Sequence, residues 1–153
     1  MQTEIENKQK SLYDTDYNLW VIETVKQLEN RDLNSLDLEN LIEEVLDLSR
    51  RDKKKLKNLL RRLFEHLLKL KYWESESERN RCHWRGEIAN FRQQIRDELE
   101  DSPSLKPYLQ EIFNSCYKDG REIASQRSGL SLNTFPENSI ATIEQVLDEN
   151  WLP

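Results

Sequence analysis

Residues 36–73 read LDLENLIEEVLDLSRRDKKKLKNLLRRLFEHLLKLKYW, and the architecture turns on how this stretch is divided. Its first part carries Asp37, Glu39, Glu43, Glu44 and Asp47 with no Lys or Arg. From Arg50 to Tyr72 there are ten Lys or Arg against two acids. Leucines and β-branched residues recur every three or four positions in both parts, the period of an amphipathic helix. Seven polar residues, Ser49 to Lys55, interrupt that rhythm. The pattern predicts a helical hairpin broken near Ser49, because folding back lets two apolar faces pack on each other. That fold-back sets Asp47 beside Lys53, Glu43 and Glu44 near Lys57, and Glu39 near Arg61 or Arg62. Each exposed pair contributes only about 0–1 kcal/mol, so charge would choose register rather than supply stability.

The flanking sequence extends the same pattern. Asp14 and Asp16 are good N-caps for a first helix that ends near Asn30 and turns Tyr17, Trp20, Val21, Thr24, Val25 and Leu28 to one side. Asp37 caps the next helix, with Leu38, Leu41, Ile42, Val45 and Leu48 expected to face inward. Leu56, Leu59, Leu60, Leu63, Phe64, Leu67 and Leu70 form the face of the basic helix. A further helix over about 80–100 carries Trp84, Ile88, Phe91, Ile95 and Leu99. DSPS breaks it, and Pro103 suits the start of another. Gly129 closes that helix. Thr142 and Gln145 have capping-box spacing for a short helix over 143–147, after which Trp151 tucks back. With three glycines, four prolines and almost no strand signal, the expected fold is all-α. It is an up-and-down bundle of about four main helices plus a short C-terminal helix. Residues 1–11 read as a flexible arm and 12–153 as a single domain of ordinary size.

Composition narrows the function classes. A net charge of −6 disfavours general binding to nucleic acid or anionic membrane. No run approaches the ~20 apolar residues of a membrane span. Two cysteines and no signal-peptide pattern point to a reduced, cytoplasmic setting. No cofactor motif is present: there is no Gly-rich phosphate loop, no Gly-x-Ser-x-Gly elbow and no Glu-x-x-His pair. Cys82, His83, Cys116 and His66 match no zinc spacing, so no metal site is expected.

Two constellations remain. Arg81, Arg85, Arg92 and Arg96 fall within an arc of about 60° on one helix, bordering its apolar stripe. Such a row serves an anion or a protein partner, or simply bridges acids on a neighbouring helix. His66, with Arg62 or Arg85 to hold an anion and Glu43 or Glu44 to hold a metal, is the candidate catalytic set for an RNA- or phosphodiester-acting enzyme. Against it stands a packed histidine with one satisfied nitrogen. Arg61 and His66 also resemble the Arg-x4-His pattern of certain helical ribonucleases, but positions five apart on a regular helix diverge by about 140°.

Taken in order, LYDTDYNLW (12–20), LDLENLIEEVLDL (36–48), HLLKLKYW (66–73), HWRGEI (83–88), LEDSPSLKPYL (99–109) and TIEQVLDENWLP (142–153) resemble one bacterial family. It is the family of uncharacterised proteins catalogued as domain of unknown function twenty-nine. The resemblance implies a small all-helical cytoplasmic protein and brings no established activity. Its motif positions correspond to Asp14, Asp16, Trp20, Glu43, Glu44, His66, Trp84 and Arg92. Family members often carry glycine where Ser49 stands, in keeping with a break there. The reading is a non-enzymatic interaction module for a protein partner or a second copy, with the phosphodiester-acting enzyme as alternative.

Overall fold

The structure, a computed structural model, describes residues 12–153. The arm expected over 1–11 lies outside the described residues. Four long helices and a short fifth account for most of the fold: α1 (Tyr17–Glu29), α2 (Leu38–Tyr72), α3 (Glu74–Asp101), α4 (Lys106–Ser128) and α5 (Ile143–Leu147). No strand occurs among the described residues. The all-α helical bundle is therefore what the sequence predicts, but its longest helix is not divided as expected.

The break at Ser49 does not occur: α2 runs unbroken for 35 residues. Ser49 is no glycine, and its neighbours are Arg and Lys, which cost a helix little. Arg50 moreover reaches back across Ser49 to Asp47 at 2.8 Å and to Glu43 at 3.1 Å. Positions three and seven residues back lie on the same side of a continuous helix, one and two turns away. Without the fold-back the acidic part of α2 has no antiparallel partner in the basic part, so the expected pairings of Glu39, Glu43, Glu44 and Asp47 with Lys53, Lys57, Arg61 and Arg62 are not formed. ESESERN, read as a connection or frayed start, belongs to α3, and Trp73 alone joins α2 to it.

Packing groups the chain into two compact units, divided between Arg51 and Asp52. In the N-terminal unit, residues 12–15 are helical and lead into Asp16. The Asp16 carboxylate caps α1 by accepting the Leu19 N–H at 3.0 Å. Trp20, 2% exposed, and Thr24 are the buried residues of α1. Tyr13, Tyr17 and Trp20 pack ring against ring, with centroids 4.9–5.9 Å apart. After Asn30, Arg31 takes a left-handed conformation (φ 56°) and turns the chain. Asp37, itself buried, accepts the Asn40 N–H at 3.4 Å as α2 begins. The unit is thus a helical hairpin of α1 and residues 38–51.

The C-terminal unit is built from α2 beyond Asp52, α3, α4 and α5. Lys55 bridges Glu98 at 2.7 Å and Trp73 stacks on Trp84, so α2 and α3 run antiparallel. Cys116 donates to the Lys57 carbonyl, Asp119 meets Arg61 and Arg127 meets Glu65, so α4 climbs beside α2 in the same direction. All seven apolar residues predicted for the basic helix are buried here, with Trp84, Ile88, Phe91 and Ile95 of α3 and Leu109, Ile112 and Cys116 of α4. Gly120 is a point of close approach between α4 and α2. A Cβ there would lie 2.7 Å from the Phe64 Cβ and 2.9 Å from the Arg61 carbonyl oxygen. Gly129 ends α4 at φ 73°, and the Thr142–Gln145 capping box opens α5, both as the sequence predicts. Trp151 is partly buried against this core.

Candidate functional site

The predicted catalytic set is spread out rather than gathered. His66 is 8% exposed. Its Nδ1 lies 2.8 Å from the Arg62 carbonyl oxygen, the i−4 position, and its ring meets Phe91 edge-on at 5.1 Å. Burial pulls its pKa below the usual histidine value despite that hydrogen bond. A neutral imidazole donating from Nδ1 to a helix carbonyl is a packed side chain. Arg62 sits over the other reach of Phe91, its guanidinium 6.0 Å from the ring centre. Arg85 lines a hollow of about 240 Å3 with Arg92, Gln93, Glu149 and Leu152, to which His66 does not contribute. Glu43 and Glu44 belong to the N-terminal unit. Glu43 takes Arg50. Glu44 accepts the hydroxyls of both Tyr13 and Tyr17 at 2.6 Å, which holds its carboxyl below the usual range and pushes Tyr13 up to about 12. Among the described residues no three His, Cys, Asp or Glu converge as a metal site.

The arginine row of α3 splits in the same way. Arg81 and Arg85 are exposed. Arg96 is half-exposed and bridges Glu149. Arg92 turns inward to 3% exposure, and its Nε donates to the Val146 carbonyl at 2.8 Å, tying α5 to α3. Burial works against its charge, offset only by the longer-range attraction of Asp148. Its Nη2 is buried without a hydrogen-bond partner.

A buried charged pair escaped the sequence reading. Glu65, 1% exposed, holds Lys69 at 3.0 Å and Arg127 at 3.0 Å, and Lys69 in turn lies over Trp84. The helical wheel gives no signal for it: from Leu63 to Leu70 the apolar residues span one side of about 160°, and Glu65, His66 and Lys69 share the other, which reads as a solvent face.

The feature that stands out is in the N-terminal hairpin. Of the twelve large hydrophobic side chains that are exposed among the described residues, eleven lie between Tyr17 and Leu48. Leu38, Ile42, Val45 and Leu48, expected in the core, are each more than half exposed. On α1 the counterparts are Ile22, Val25 and Leu28. The helices face each other through Trp20 and Tyr17 on α1 and Glu44 on α2. Counted at about 100° per residue, the bare rows are displaced from these facing sides in the same rotational sense. In an antiparallel hairpin that brings both rows to one side. Beyond residue 56 the same stripe of α2 is core, since Leu56, Leu60 and Leu63 continue the line of Leu38, Ile42 and Val45.

Fold and surface together define a small helical-bundle protein whose N-terminal hairpin bears an apolar face exposed among the described residues. The sequence pattern described as "Domain of unknown function DUF29" matches residues 12–152, and the chain belongs to that family. No curated protein and no solved structure matches it. No helix among the described residues is long and apolar enough to cross a membrane.

Proposed function

We propose that the protein is a non-enzymatic interaction module whose docking surface is the bare side of the N-terminal hairpin and whose occupant is a second copy of the chain. The carrying observation is the pair of exposed apolar rows, Ile22, Val25 and Leu28 beside Leu38, Ile42 and Val45. With Tyr17 and Leu48 these half-exposed side chains offer on the order of 500 Å2 of apolar surface, at roughly 60 Å2 each. A stable dimer covers about 800 Å2 per partner, of which about two-thirds is apolar in homodimers. The patch therefore has the size of one subunit's share. A two-fold arrangement of these rows completes a four-helix bundle from two hairpins.

His66, pinned to the Arg62 carbonyl and Phe91, favours this reading over the phosphodiester-acting enzyme. The test is sedimentation of the full chain at 1–100 μM. Wild type is expected as a dimer and Ile42→Glu/Val45→Glu as a monomer of unchanged helicity, since both positions are solvent-facing in the single chain. A wild type that stays monomeric at 100 μM overturns the proposal.

A further inference from the structure

A hollow of about 370 Å3 opens between α3, the turn at Pro103 and α5. Ile95, Leu99, Pro103 and Leu147 give it apolar walls, and Arg92, Arg96 and Lys106 give it three cations against one acid, Glu100. Cation-rich linings are common at a solvated surface, but Arg92 is different. It is buried, an arginine does not give up its proton, and a buried charge is normally paired. Its Nε is spent on the Val146 carbonyl, its Nη2 has no hydrogen-bond partner, and the acid that favours its charge, Asp148, acts without forming an ion pair. The fold thus builds a cation into the wall of an apolar hollow with no ion pair made to it among the described residues.

We propose that this hollow binds an amphiphilic monoanion, a carboxylate carried on an apolar body. The carboxylate sits among Arg92, Arg96 and Lys106, where guanidinium and ammonium donors suit its two oxygens. The body lies along Ile95, Leu99, Pro103 and Leu147. A volume near the lower end of the ~300–1,000 Å3 range of ligand sites suits a body of roughly six to ten carbons. Glu100 in the lining and Glu149 beside Arg96 disfavour a dianion, and the apolar walls give inorganic phosphate nothing to bind. The hollow is lined by residues of the C-terminal unit alone, so neither proposal depends on the other.

The experiment is titration of the full chain with octanoate, octan-1-ol and inorganic phosphate, followed by calorimetry and by amide NMR. Octanoate is expected to saturate at one per chain and to shift amides of residues 95–99 and 103–106. Octanol and phosphate should bind at least tenfold more weakly. Lys106→Gln and Arg96→Gln should each weaken octanoate several-fold, and Leu99→Trp, which fills the hollow without altering its charge, should abolish binding. Arg92→Met is informative only if it stays folded, so the Leu99 and Lys106 variants carry the test. No saturation by 10 mM octanoate overturns the proposal, as does equal binding of octanol or phosphate, or octanoate binding that survives Leu99→Trp.

Discussion

Gly120 offers a substitution whose sign separates two accounts of the same residue. If it were merely a weak point in α4, alanine would stabilise the helix by about 1 kcal/mol. The packing demands the opposite. A Cβ at 120 meets the Phe64 Cβ at 2.7 Å, the Arg61 carbonyl oxygen at 2.9 Å and the Glu65 amide nitrogen at 3.1 Å, whereas ordinary contact begins at 3.4 Å. Two of these atoms are backbone and the third is the root of a buried side chain, so none can swing away. Relief requires α2 and α4 to part by several tenths of an ångström, which forfeits dispersion along the seam that holds Phe64, Cys116 and Tyr117. Overpacking of this kind costs about 1–3 kcal/mol, and rigid neighbours put it at the upper end. After the helix-propensity gain, Gly120→Ala should lose about 2 kcal/mol, which lowers Tm by roughly 4–8 °C in a chain of this size. Gly86 is the control: it is exposed within α3, and a Cβ there meets nothing within 4 Å. Gly86→Ala should gain about 0.5–1 kcal/mol. Thermal and urea unfolding of both variants, followed by circular dichroism, decide the matter. A Gly120→Ala protein that melts above wild type would refute the close-approach account.

Three further outcomes are expected. Glu65→Ala strands Lys69 in the core and should cost about 3–5 kcal/mol, while Glu65→Leu/Lys69→Leu should recover most of it; urea midpoints of the set measure both, and a harmless single change would show that the pair is solvated. His66 has its pKa lowered in the folded state. Below the unfolded value of about 6.5 the unfolded chain therefore binds the extra proton first. The contribution is present above that pH and is lost as pH falls beneath it. Urea stability measured between pH 8 and pH 5 should decline, and His66→Phe should flatten the decline in the window just below pH 6.5. Asp16→Ala removes the α1 cap and should cost about 1 kcal/mol, read as a loss of helical signal at low urea.

Much of the fold was legible from the period of apolar residues and the chemistry of helix ends. Asp16, Gly129 and the Thr142–Gln145 box act where the sequence puts them because capping is local. The inward face of α2 beyond residue 56 was legible for a related reason: leucines three and four apart leave one side of the helix to bury. The candidate site was far less legible. Arg81, Arg85, Arg92 and Arg96 share an arc on the helical wheel, yet only Arg92 goes inside, because α5 presents the Val146 carbonyl to it across 54 positions of sequence. Glu65 belongs with Arg127 for the same reason. Such pairings depend on which helices become neighbours, and a helical wheel carries no record of neighbours.

From the residues alone came the helices, their caps and the side of each that is greasy. Packing decided two matters that the residues left open. One was whether seven polar residues at Ser49–Lys55 end a helix; they do not, since Arg and Lys continue it and Arg50 ties the turns on either side. The other was whether a greasy side is covered. A period of 3.6 says where apolar atoms point, but only the arrangement of the other helices says whether anything stands there. For Leu38, Ile42 and Val45 nothing among the described residues does.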